Sequence, residues 1–281
     1  MKPPVFYFVD VFADRPLTGN PVVIVPDADD LTEAQMAALA REFNQSETTF
    51  LLRPGVPGAD RRLRSFTPIG AEVFGAGHNA LGAWLWLAAS GRLPAGRTDF
   101  RQQIGNDLLP VRVEGATVSM DQSPPRFGAR VTNRAALAAA LALEADDVAD
   151  AQVVSTGAAH LLVPVGTRAA VDRAAPDSHR LTPLLSGAGA EGCYLYSLEA
   201  DLPYARFFNP TMGIPEDPAT GTAAGPLAAL LVHRGLRPAG TLDIAQGHRL
   251  GRPSRIQVTV DGSHVTVSGT GLVVAEGTLH L

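Results

Sequence analysis

Lysine is nearly missing from this chain: Lys2 is the only one among 23 basic residues. Schiff-base chemistry, pyridoxal phosphate attachment and a P-loop therefore lose their obvious residue. Cysteine is as scarce. With Cys193 alone, an intrachain disulfide, a CxxC redox centre and a thiolate metal cluster are impossible. Positive charge is not in excess either. The formal net charge is −5 and the isoelectric point near 5.8, so no global field draws in phosphate backbones or anionic lipid. Neither nucleic acid nor membrane is an expected partner. The longest apolar stretch, around Ala80–Ala89, is about half the ~20 residues of a bilayer crossing and reads as a core helix. The first residues lack a signal peptide's apolar region and small-residue cleavage site, and the expectation is a cytoplasmic protein.

What remains is an ordinary globular composition. Of 281 residues, 46% are hydrophobic and 18% charged, which excludes intrinsic disorder. At ~100–200 residues per domain the chain makes one large domain or two small ones.

An internal echo favours two. Arg64-Ser65-Phe66-Thr67-Pro68 leads to Gly75-Ala76-Gly77-His78 and an apolar helix from about Asn79 to Ala89. Arg206-Phe207-Phe208-Asn209-Pro210 leads to Ala219-Thr220-Gly221-Thr222 and an apolar helix from Ala223 to His233. These segments lie 142 residues apart, and Thr18-Gly19 before Val22–Pro26 echoes Thr156-Gly157 before Leu161–Pro164 at 138. So long a period implies two small duplicated domains rather than a repeat array. The punctuated stretch Ser123–Gly128 sets the expected boundary, giving domains 1–123 and 124–281. The end of the chain, about 270–281, could pair with either.

Local signals are clear in places. Strand-like Phe6–Val11 and Pro21–Val25 flank Gly19-Asn20, as in a hairpin. Thr32-Glu33-Ala34-Gln35 has the form of a capping box, and Met36, Leu39, Ala40 and Phe43 then recur at helical spacing. That helix stops near Asn44 and a β-branched run begins at Thr48. Ser46 and Glu47 thus fall at a helix-to-strand junction, which positions side chains rigidly.

Several residue patterns bear on chemistry. Each half feeds a Gly-rich turn into the start of an apolar helix, and free N–H groups there could hold a substrate carboxylate; alternatively the glycines only permit close packing. His78 and Asp217 stand at those helix starts as site residues or as simple caps. Glu72 is the rough counterpart of Asp217. Glu47 is the preferred acid/base, since a carboxylate held at such a junction can have a raised pKa; the alternative is an exposed loop glutamate. Gly187–Gly192 matches GxGxxG but precedes a strand-like Cys193–Tyr196, so it reads as a loop and not a dinucleotide site. The seven histidines show no ligand spacing, and no metal site is expected. Cys193 reads as a small buried hydrophobe.

Taken together, Ala40-Arg41-Glu42-Phe43-Asn44-Gln45-Ser46-Glu47-Thr48-Thr49-Phe50, Phe66-Thr67-Pro68, Gly77-His78, Glu216-Asp217-Pro218-Ala219-Thr220-Gly221-Thr222 with Ala223–Leu227, and Gly251-Arg252-Pro253-Ser254 resemble the PhzF family of phenazine-biosynthesis isomerases. The resemblance runs nearly end to end. It implies the diaminopimelate epimerase fold, an α+β architecture of two pseudo-symmetric domains. Each is a curled, barrel-like sheet around a central helix, with the active site between them and usually a homodimer. It also implies an activity without cofactor: isomerisation of trans-2,3-dihydro-3-hydroxyanthranilate, a small carboxylic acid, by moving a proton between ring carbons. Glu47 matches the family's catalytic glutamate. His78 and Asp217 match residues that bind substrate and assist proton movement, and Ser46, Gly77, Gly221 and Thr222 match positions that bind its polar groups. Asn79 stands where a proline is common, Trp84 where small residues are common, and Thr222 where serine is common, which sets the pocket apart.

Two other readings compete. An amino-acid racemase on the same fold would use a thiol on each face of the α-carbon, and one cysteine cannot supply both. A non-catalytic small-acid binding protein would need Glu47 for affinity and not for chemistry.

Overall fold

In the computed structural model, which describes residues 3–281, the chain divides into two units. One comprises the chain up to Met120 with Ser268–Leu281, the other Asp121–Val267.

In the first unit β1 (Val5–Val11) and β2 (Asn20–Val25) pair antiparallel, Val11 opposite Asn20. Gly19-Asn20 is not a two-residue turn: Asn20 already belongs to β2, and the reversal is spread over residues 12–19. Gly19 takes φ +68 where a Cβ would strike the Val11 carbonyl. Helix α1 (Glu33–Phe43) opens with the expected capping box, Thr32 and Gln35 each accepting from the other's backbone. It buries Met36, Ala37, Leu39 and Ala40 against Val23, Phe50 and Phe66. Asn44 then turns left-handed at φ +50, and β3 (Thr48–Leu52) returns parallel to β2. After it come β4 (Arg61–Phe66), β5 (Glu72–Val73), α2 (His78–Ala89), β6 (Asp99–Ile104), β7 (Asp107–Glu114) and β8 (Thr117–Gln122), the last running into the second unit.

Helix α2 is buried from His78 to Leu87, all round its axis, as a helix apolar on every face must be. It touches β1, β2, β3, β7 and also the final strand of the chain, residues 271–278. Strands near both ends of the sheet meet the same helix, so the sheet curls around it. Trp84 belongs to this packing: its ring lies 5.1 Å from Phe100 and its indole N–H donates to Gln102 Oε1 at 2.9 Å.

The second unit repeats the plan. It holds β9 (Arg126–Val131), α3 (Arg134–Leu141), β10 (Ala151–Ser155), β11 (Ala159–Pro164), α4 (Arg168–Arg173), α5 (Ser178–Ala188), β12 (Gly192–Ser197), β13 (Tyr204–Asn209) and β14 (Ile214–Asp217). After these come α6 (Gly221–His233), β15 (Gly240–Gln246), β16 (Ser254–Asp261) and β17 (His264–Gly269); β18 (Gly271–Thr278) pairs back onto β1. The β11–β12 pairing is parallel as β2–β3 is, and β13–β15 parallel as β4–β6 is. β9 flanks β10 as β18 flanks β1. Helix α6 fills the centre against β10, β11 and β16. Gly187 lies in the last turn of α5 and Gly189 is its left-handed cap, so this Gly run ends a helix, the reverse of the dinucleotide order.

The Arg-x-Phe echo has a physical cause. Residues two apart share a face of a strand. Arg64 thus lies over Phe66, and Arg206 over Phe208, at 5.1 and 4.8 Å from the ring centres. Each guanidinium then grips a carboxylate bidentately on the adjoining strand, Arg64 to Glu72 and Arg206 to Glu216. The counterpart of Glu72 is therefore Glu216, not Asp217; by register Asp217 occupies the place of Val73.

Candidate active site

Glu47 owes its position to the left-handed end of α1. Asn44 stops the helix, and four positions later, at Thr48, the chain enters β3, whose first pairing with β2 is preceded by a Val23 N–H to Glu47 carbonyl contact of 3.5 Å. The Glu47 side chain is only 16% exposed. It is not a loop carboxylate in water. Its Oε2 lies 3.0 Å from His78 Nε2, but no donor is aligned on it as a hydrogen bond. His78 Nε2 also lies 3.3 Å from Ser46 Oγ, which is itself 3.5 Å from Asn20 Oδ1. Burial without an aligned donor disfavours the charged form, and the Glu47 carboxyl is pushed from 4.5 up to about 7. A carboxyl with that affinity is shared between acid and base near neutrality, which suits a group that must take a proton and give it back.

His78 is held by the turn before α2. Gly77 caps the helix without a side chain to do so. Its N–H donates to Asn79 Oδ1 at 2.7 Å, so in this unit the Gly77 amide is already engaged and is not an open anion donor.

In the second unit Asp217 closes β14 and is 7% exposed. Its Oδ2 accepts from the Thr220 hydroxyl at the start of α6. Gln246, wholly buried, organises the rest: Nε2 donates to the Asp217 carbonyl at 2.8 Å and to Thr220 Oγ1 at 3.1 Å. Its Oε1 accepts from the Thr220 N–H at 3.2 Å and the Tyr194 hydroxyl at 2.9 Å. Gly221 opens α6, and its carbonyl accepts from Gln122 Nε2 at 3.0 Å. Thr222 Oγ1 lies 3.4 Å from Nε2 of His160, a histidine that burial pushes down to about 4 and so keeps neutral. Pro226, which has no N–H, withholds the helical donor from the Thr222 carbonyl.

The structure thus brings Ser46, Glu47, Gly77 and His78 together in one unit, and Asp217, Gly221 and Thr222 at one helix start in the other. Sequence reasoning missed Gln246 and His160. Gln246 closes β15 and His160 stands second in β11, and only strand register reveals what each faces. Cys193 is fully buried and its thiol is raised to about 12, which removes it as a nucleophile. A cavity of about 220 Å³ beside Trp86, Leu87 and Arg92 lies at the C-terminal end of α2, away from His78.

The fold defines the class first. The chain matches a hydroxyproline epimerase from Agrobacterium vitis with a TM-score of 0.62 at 12% identity, over 98% of this chain and 91% of that one. At such identity this establishes the diaminopimelate epimerase-like fold alone. A phenazine biosynthesis protein of the PhzF family from Bacillus anthracis matches with a TM-score of 0.90 at 28% identity, over the whole of both chains. The trans-2,3-dihydro-3-hydroxyanthranilate isomerase of Pseudomonas aeruginosa is 36% identical over 98% of this chain and 99% of its own length. The family profile for phenazine biosynthesis-like proteins, PhzC-PhzF, matches residues 9–277, and the chain belongs to that family as one of its isomerases.

Proposed function

We propose that this isomerase moves a proton between two carbons of a small cyclic amino or hydroxy acid, without a cofactor, with Glu47 as the carrier. The observation that supports this most directly is the buried Glu47 carboxyl, 3.0 Å from His78 and raised to about 7. The carboxylate breaks one C–H bond and takes the proton. The electron pair left behind is spread through the conjugated acid or enamine. The carboxylic acid so formed then makes a C–H bond at a second carbon and is again a carboxylate. Atoms and electrons balance, and a single positioned group serves as base and acid in turn.

In this reading His78 orients the Glu47 carboxyl, with Ser46 beside it. Asp217 assists proton movement, and Gly221 and Thr222 bind polar groups of the substrate; Gly77, its amide engaged by Asn79, shapes the turn that carries His78 instead. The Thr222 methyl group narrows the space that a serine would leave. The P. aeruginosa relative's activity makes trans-2,3-dihydro-3-hydroxyanthranilate the first compound to try. A homodimer is the form the family resemblance carries with it.

The test is incubation of that compound in D₂O with the wild type and with Glu47→Gln, followed by proton NMR of the ring signals. Turnover by the wild type alone supports the reading. Equal turnover in both removes Glu47 from the mechanism, and saturable binding without turnover in the wild type points to a different small acid.

A further inference from the structure

We propose that Asn79, acting through Ser65 and Thr49, is a positioning device that fixes His78 against Glu47. The inference rests on the proton-transfer reading above and names what keeps that pair in register.

Helix α2 starts without a side-chain cap. An N-cap glycine offers no side-chain acceptor for the orphan amides of the first turn. Asn79 takes over from inside the helix. Its Oδ1 accepts from the Gly77 N–H at 2.7 Å, and its Nδ2 donates to the Gly75 carbonyl at 3.1 Å and to Ser65 Oγ at 3.0 Å. A carbonyl can only accept and an N–H only donate, so these partners fix which way the amide points. Three of its four hydrogen-bonding positions are used. Both bonds to the turn close on residues immediately before His78, and the backbone there cannot shift without breaking them.

The third bond leads away from the helix. Ser65 Oγ lies 2.9 Å from Thr49 Oγ1, and the two residues are register partners on β4 and β3. Directly opposed residues of an antiparallel pair point to the same face. Thr49 follows Glu47 by two positions. The chain of bonds therefore runs from the residue next to His78 to the strand that directly follows Glu47. Exposure is 0% for Thr49, 3% for Ser65 and 3% for Asn79, so water does not compete.

The other unit shows that the fold does not require this network. By strand register and helix start, the corresponding places hold Tyr194, Phe207 and Thr222, and no such chain of hydroxyl and amide exists there among the described residues. The network occurs in the unit that carries Glu47 and His78.

The experiment compares wild type with Asn79→Ala, Asn79→Asp and Ser65→Ala, reading the ¹³C titration of the Glu47 carboxyl, the His78 ring nitrogens, kcat and KM. A residue that only supports the fold would lower the melting temperature and leave these unchanged in the folded protein. The expected result for Asn79→Ala is a Glu47 midpoint that drops from about 7 towards 4.5 as water reaches the carboxyl. A fall in kcat of about 10²-fold, with KM changed much less, accompanies it. Asn79→Asp keeps the acceptor for Gly77 and recovers part of both. Ser65→Ala added to Asn79→Ala costs little more, as members of one network do not add. If Asn79→Ala does not fold, Ser65→Ala is read in its place. An unchanged Glu47 midpoint with unchanged kcat overturns the proposal. A wild type inert towards the cyclic acid, whose Glu47 midpoint still follows Asn79, overturns the proposed function and leaves the positioning role standing.

Discussion

Replacing Glu47 by glutamine should change how stability depends on pH more than it changes stability itself. The carboxyl is raised in the folded protein from 4.5 to about 7 by burial. At ~1.4 kcal/mol for each tenfold change in proton affinity, ionising it inside the fold costs roughly 3 kcal/mol more than ionising it in the unfolded chain. A carboxyl whose folded pKa is raised stabilises fully below its unfolded value, and that contribution is lost as pH rises through the folded one. Glu47→Gln cannot ionise. Relative to the variant, the wild type should therefore lose roughly 3 kcal/mol between pH 4.5 and pH 8, a difference of about 6–12 °C in melting temperature for a chain of this size. Urea unfolding of both proteins across that range measures it, and the ¹³C titration of the carboxyl measures the midpoint directly. In the same range wild-type kcat/KM should rise with pH along a limb near 7, as the carboxylate is the form that takes the first proton. Parallel stability curves with a midpoint near 4.5 would refute the reasoning, because burial would then not be perturbing this group.

The geometry sets the outcome of four other perturbations. Glu216→Gln should destabilise by about 3 kcal/mol, since it removes the only carboxylate among the described residues paired with Arg206, 6% exposed, and one of their two hydrogen bonds. Glu72→Gln should cost less, as Arg64 keeps the exposed Glu33; urea midpoints that match for the two variants would contradict this. Gln246→Leu should cost roughly 2–4 kcal/mol, read by thermal unfolding, because the Thr220 N–H, the Tyr194 hydroxyl and the Asp217 carbonyl all lose a buried partner. Cys193 should resist an aromatic disulfide reagent in the native protein and react at once in urea; native reactivity would contradict its burial and raised thiol pKa.

The parts of the fold legible in the sequence were those written in local pattern. The capping box at Thr32, the end of α1 at Asn44, the apolar helices α2 and α6 and the Arg-x-Phe echo all depend on residues a few positions apart. The junction that holds Glu47 was legible for the same reason. Long-range register was not. It decides that Glu72 answers to Glu216, that Asn20 belongs to β2, and that Gln246 lies under Asp217. Asn79 was visible as a departure, but its meaning needed Ser65 from another strand.

Register also explains why the duplicated fold does not duplicate its candidate site residues. Thr48 pairs with Phe66 as Cys193 pairs with Phe208, so the place of Glu47 falls on Gly192 in the second unit. A side chain there would run into the Phe207 ring, and Phe207 itself stands where the first unit has Ser65. The second unit has thus filled with an aromatic ring the places that Glu47 and Ser65 hold in the first. Its own carboxylate, Asp217, arises at the place of Val73 and is tied to Thr220 and Gln246. A racemase that divides removal and return of a proton between two matched groups needs the same chemistry in both copies. Here Glu47 has no counterpart, and Cys193, at the place of Thr48, is buried with its thiol protonated. The asymmetry suits the proposed single carrier, which removes a proton from one carbon and returns it to another, better than a matched pair of acid/base groups.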